Sequence, residues 1–299
     1  MRKDIALPAL ALAGGVAGFL LRRWQLASAY VPETGLFVHG APATLALLGL
    51  TGLLALAFAL LVRGDGEGPE DFLPAFGCPE AGHMTVLAAA GLLMMLSGAL
   101  GLKDGLAELQ LWRAAPELYP MASPGSQLLA SALCLPAGLG VLLLGRAAYR
   151  NELDAAACRL ASFPALAGLV WLFATHLKHG VEPVLMKYGF GMLAVLLLTL
   201  AHYCAAAFLY GRPRRRRTAF LALTGAAVGI ISLADRPDLF TAAATLAFSL
   251  SALAFARALL RSTFGPPWPK RLERRMPLGA EEQENEGPGE QAPGTEPEN

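Results

Sequence analysis

Eight runs of mostly apolar residues, joined by short connections, constrain this chain more than any other feature. They lie at about 5–21, 43–62, 84–102, 127–145, 160–177, 184–210, 218–234 and 239–260. A hydrocarbon layer ~30 Å thick takes ~20 residues of helix to cross, and no backbone amide or carbonyl can go unpaired inside it. The expected fold is therefore all-α: a polytopic transmembrane helical bundle of about eight spans over 1–263, with a cytoplasmic tail over 264–299. The first and seventh runs are the shortest. The first follows Arg2 and Lys3 and contains an Ala-Leu-Ala at Ala11 to Ala13, but cleavage there would leave too short an apolar region for a signal peptide. It is expected to stay as an uncleaved span.

Composition agrees with the runs. The chain is 55% hydrophobic and 16% charged with a mean hydropathy of +0.48, which excludes a solvated disordered chain. Cys78, Cys134, Cys158 and Cys204 are scattered, with neither a disulfide framework nor zinc spacing, and read as packing residues. The formal net charge of +1 hides an asymmetry. From Glu281 to Asn299 there are seven Glu and no Lys or Arg, so the tail cancels most of the positive charge on the rest of the chain. After Thr263, Gly265-Pro266-Pro267-Trp268-Pro269 ends the last helical pattern, a basic patch follows, and the acidic stretch is expected to be disordered.

Lys and Arg concentrate in cytoplasmic connections, so their partition gives orientation. Eight spans put 17 of the 24 basic residues on the side that holds both termini and seven on the other. Both termini are therefore expected in the cytoplasm. The outward connections are then about 22–42, 103–126, 178–183 and the tight turn Asp235-Arg236-Pro237-Asp238, which makes the last two spans a hairpin. In the second outward connection, Leu106, Leu109, Leu111 and Trp112 with Glu108 and Arg113 predict one to two turns of interfacial helix that Pro116 stops. The two halves share no residue-level repeat.

Few residues could carry chemistry. His176 and His179 lie at i and i+3 near the outer end of the fifth span, with Glu182 just beyond and His39 on the same side. Two imidazoles and a carboxylate could bind a metal or relay a proton, although neither the spacing nor the ligand count matches a known site. The alternative is helix-end and interfacial histidines, with Gly180 ending the helix before Glu182 comes into register. His202, beside Tyr203, lies deeper in the sixth span. It would either line a pathway or make one interhelical hydrogen bond. Lys187, near the outer end of that span, is expected to snorkel to the headgroups. Gln127 and Thr199 complete the polar groups able to face a cavity.

Pro136, Pro164, Gly189 and Gly191 interrupt the fourth to sixth spans, either as plain kinks or as breaks that free carbonyls to line a cavity. Gly14-x3-Gly18 and Gly225-x3-Gly229 permit close helix packing. Arg212 and Arg214 to Arg217, together with Lys270, Arg271, Arg274 and Arg275, form basic surfaces expected to contact anionic lipid. They lack the interleaved aromatics of a nucleic-acid site, and no nucleic-acid partner is expected.

There is no GxSxG, HExxH or Walker loop, and no cofactor is predicted. An ATP-driven pump is excluded as a self-sufficient unit. In general style the chain is similar to multi-pass proteins of bacterial plasma membranes, which is the expected location. The reading is a non-enzymatic membrane protein, transport-like or an accessory subunit of a membrane complex. The alternative is a membrane-embedded enzyme, or a metal- or proton-handling protein, using the outward His cluster.

Overall fold

The computed structural model describes residues 2–63, 68–117, 121–179 and 185–265. Among these, eight helical segments are long and apolar enough to cross a membrane. The first span is α1 (Lys3–Ser28) and the second α2 (Pro42–Leu61), joined by an antiparallel ribbon of β1 (Tyr30–Val31) and β2 (Leu36–Phe37). A short α3 (Phe72–Phe76) precedes α4 (Ala81–Ala114) and α5 (Ala122–Arg150). The fifth span is built from α6 (Ala155–Leu160) and α7 (Phe163–His179). Then come α8 (Leu185–Ala206), α9 (Arg215–Ser232) and α10 (Leu239–Phe264). Of the expected tail, only Phe264 and Gly265 fall within the described residues, and Phe264 is still helical.

The helices run past the apolar runs that mark them. α4 absorbs Leu106 to Arg113, so the expected interfacial turns are the end of the third span rather than a separate element. It stops at Ala114 because Ala115 precedes Pro116 and is pushed out of the helical region, to φ −147° and ψ 69°. Pro164 breaks the fifth span. Its ring collides with the Leu160 carbonyl and supplies no N–H to it, and the helix is interrupted between Leu160 and Phe163. That carbonyl lies against Gly140 of α5, where a Cβ would come within 2.5 Å of it. Pro136, Gly189 and Gly191 lie inside helices that continue unbroken.

Side-chain contacts define two ends of the bundle. At the proximal end, where α1 begins and α10 finishes, Lys3 Nζ donates to Leu61 O at 3.0 Å. Beside it Arg261 reaches Asp4 at 3.2 Å and Arg257 reaches Glu80 at 2.6 Å. At the distal end, Arg22, Lys178, Asp235 and Asp238 come together.

Small residues let the helices close on each other, since without a hydrophobic drive in lipid the gain comes from contact and dispersion. Gly14 and Gly18 of α1 lie against Leu54 of α2 and Ile231 of α9, and a Cβ at either would collide with those side chains. Between α4 and α5, Gly91 and Gly138 face each other so closely that a Cβ on one would strike the carbonyl of the other. Leucines such as Leu20, Leu45, Leu53 and Leu92 point outward and are more than half or nearly half exposed, as a lipid-facing surface requires.

Aromatic rings fill the centre. Phe240, Phe248 and Phe255 lie on one face of α10 over about 22 Å of helix. Trp171 sits 5.9 Å from Phe240 and 5.7 Å from Phe248, and Phe255 lies 5.5 Å from Phe76 of α3, which meets Phe208 at 4.9 Å. The connection after α2 thus sends a buried aromatic pair, Phe72 and Phe76, back into the proximal end of the bundle.

Candidate functional site

The buried stripe of α1 is Leu7, Ala11, Gly14, Gly18, Arg22 and Gln25, a helical period carried one and a half turns beyond the apolar run. Arg22 and Gln25 therefore face the bundle, whereas Arg23 and Trp24 are exposed. Arg22 is fully buried. Its Nε donates to Asp235 Oδ1 at 2.7 Å, Nη1 to Gln25 Oε1 at 2.6 Å and Nη2 to the Lys187 carbonyl at 3.0 Å. Gln25 Nε2 then donates to Thr44 Oγ1 at 2.8 Å. The guanidinium lies over the rings of Phe190 and Phe37, the second supplied by the ribbon between α1 and α2. One cation thereby ties α1, α2, α8 and the turn after α9 together.

Asp235 also faces a cavity of about 370 Å³ at the distal end, in the size range of small-molecule sites. Lys178, Lys187, His179 and Tyr188 contribute to its wall, with Asp238 and Thr241 at the start of α10 and Gln127 from α5. Trp171 lies eight residues inside the distal end of α7, so the cavity reaches about 12 Å along that helix. Lys178 Nζ bonds Asp238 Oδ2 at 3.1 Å. Asp238 caps α10 by accepting from the Thr241 N–H at 2.7 Å. Burial raises the pKa of its carboxyl, but the Thr241 hydrogen bonds and Lys178 together outweigh burial and hold it below the ordinary carboxylate value. Arg236, at φ 55°, turns the chain between α9 and α10 as the tight turn requires.

The expected residues separate into different environments. His179 stacks on Tyr188 with ring centroids 3.8 Å apart and lines the cavity. His176 is exposed and lines a lipid-side groove with Phe173 and Gly189, and His39 is exposed beyond the ribbon. Glu182 lies outside the described residues. No three His, Cys, Asp or Glu side chains stand together as a metal site among the described residues. Lys187 Nζ lies over the rings of Tyr188 and Tyr30, at 5.2 and 5.6 Å.

His202 is buried at the centre. Its Nδ1 meets the Leu198 carbonyl at 2.8 Å and its Nε2 meets Ser251 Oγ at 2.8 Å. A carbonyl only accepts, so Nδ1 carries the proton and Nε2 accepts from the serine hydroxyl. This satisfies a neutral imidazole completely. Phe248 at 4.9 Å and Phe255 at 6.3 Å pack its ring edge-on, and the distal cavity's lining does not include it. Tyr203, next in sequence, is 59% exposed and points outward. His83, not singled out by the sequence, is buried in the first turn of α4 with Nε2 lacking a partner.

Arg214 to Arg217 line a second concavity at the N-terminus of α9, and Arg212 is exposed in the loop before it. Lys270, Arg271, Arg274 and Arg275 lie outside the described residues.

Eight apolar helices around a small-residue and aromatic core define a multi-pass helical membrane protein. No protein-family profile matches the chain, and neither a curated protein nor a solved structure matches it.

Proposed function

We propose that this is a non-enzymatic, transport-like protein of a bacterial plasma membrane, with its proximal end and both termini in the cytoplasm. The 17-to-seven partition of basic residues supports that orientation. The observation that carries the functional reading is the distal cavity. It brings Lys178, Lys187, Asp235 and Asp238 to the outer side of an otherwise apolar bundle and is closed below by Trp171. Ionisable groups kept within a membrane protein at such expense mark solute or ion sites.

A second reading, an accessory subunit of a membrane complex, draws on the proximal half, where His202 is sealed among phenylalanines and serves packing.

One experiment separates the two. The full-length protein, carrying a C-terminal tag and purified in mild detergent, is screened by thermal unfolding against small amino acids, carboxylates and amines, and its co-purifying proteins are identified by mass spectrometry. Transport predicts that the protein purifies alone and is stabilised by one solute class, with the shift lost in Lys187→Gln. An accessory role predicts a stoichiometric partner and no solute effect.

A further inference from the structure

The pocket at the proximal end carries an inference independent of the distal cavity. Arg214, Arg215, Arg216 and Arg217 line one side of a concavity of about 570 Å³, and Leu259, Leu260 and Phe264 of α10 line the other. Four consecutive arginines also begin α9, whose first turn holds no acidic residue and whose N-cap makes no side-chain hydrogen bond. The N-terminus of a helix is already the positive end of its dipole and favours anions, so this cluster adds like charge to like. Arg215 keeps one buried guanidinium nitrogen without an acceptor among the described residues. The nearby carboxylate of Asp4 is engaged by Arg2 and Arg261.

We infer that this pocket binds an anionic phospholipid of the surrounding bilayer, its phosphate on Arg214, Arg215 and Arg217 and an acyl chain along Leu260 and Phe264. Guanidinium groups match phosphate oxygens through paired N–H donors, and helix N-terminal amides add to the same anion. The two-sided lining distinguishes a lipid from a soluble phosphate: one wall recognises charge and the other is apolar.

The test is native mass spectrometry of the full-length protein released from nanodiscs of equimolar phosphatidylglycerol and phosphatidylcholine. Wild type is expected to retain phosphatidylglycerol selectively. Arg214→Gln with Arg217→Gln lowers that selectivity by about fivefold for each arginine removed. Because loss of these charges can also disturb insertion, Thr263→Trp provides a second variant, filling the pocket beside Phe264 while leaving every charge in place. It is expected to lose selectivity as well. Equal retention of the two lipids, or selectivity unchanged in Thr263→Trp, overturns the proposal in favour of diffuse surface charge. Displacement of the lipid by inorganic phosphate alone overturns it in favour of a soluble anion.

Discussion

The two ends of the bundle manage buried polarity in opposite ways. At the distal end a cation and a carboxylate are held together, with Arg22 tied to Asp235, Gln25 and the Lys187 carbonyl next to an accessible cavity. Towards the proximal end the buried polar group is a neutral imidazole with its two nitrogens satisfied by Leu198 and Ser251 and its faces covered by phenylalanine. The second arrangement needs only packing to remain stable. The first carries a large desolvation cost that packing does not require, because a pair of well-fitted apolar side chains would serve the fold as well. The difference locates function at the end where the costly arrangement is kept.

The largest effect is expected where that arrangement is broken. Arg22→Met leaves Asp235 without its cation in a mostly enclosed site and should destabilise the protein by about 3–5 kcal/mol. Arg22→Met with Asp235→Leu should recover most of that loss, since both charges are then gone. Thermal unfolding in detergent measures both. If the double variant is stable but unresponsive to the solute that stabilises wild type, the pair belongs to the binding site. A double variant as responsive as wild type would make the pair a structural tie alone.

A smaller effect is expected at the sealed end. Ser251→Ala removes the donor to His202 Nε2 and should cost roughly 0.6–2 kcal/mol. His202→Phe combined with Ser251→Ala should be tolerated better than either change alone, as removing both partners of a buried hydrogen bond leaves nothing unsatisfied. Solute response should be unchanged in the double variant. A lost response with stability preserved would instead place His202 on a pathway and remove the contrast between the ends.

How much of this was legible in the sequence depends on the scale of the signal. Eight runs long enough to cross a bilayer are a strong pattern, and each corresponds to a helical segment of the structure. The ends were less legible, because Lys, Arg and Glu mark a membrane boundary without stopping a helix, and α4 continues twelve residues beyond its apolar run. Arg22 was read as the polar flank of the first span for the same reason. The spacing Leu7, Ala11, Gly14, Gly18 does extend by four and then three to Arg22 and Gln25, so a signal was present. Its partner Asp235 is 213 residues away, and nothing local indicates that pairing. The dry setting of His202 likewise depends on Phe248 and Phe255 from another span.

The smallest effect tests the rim of the distal cavity. The Lys178–Asp238 pair is about half exposed on both sides, so Lys178→Ala should cost less than about 1 kcal/mol, and less still at high salt. Asp238 itself does more, because it also accepts from the Thr241 N–H as the cap of α10. With a folded-state pKa below the ordinary 3.8, the ionised carboxylate contributes stability that is fully present above that value. The contribution is lost as pH falls through the lower folded value. Stability followed by thermal unfolding should therefore decline on acidification below about pH 4 in wild type. Asp238→Asn keeps a capping oxygen but cannot titrate, and should flatten that part of the decline. An undiminished acid dependence in Asp238→Asn would assign it to other carboxylates and leave this rim pair with a purely local role.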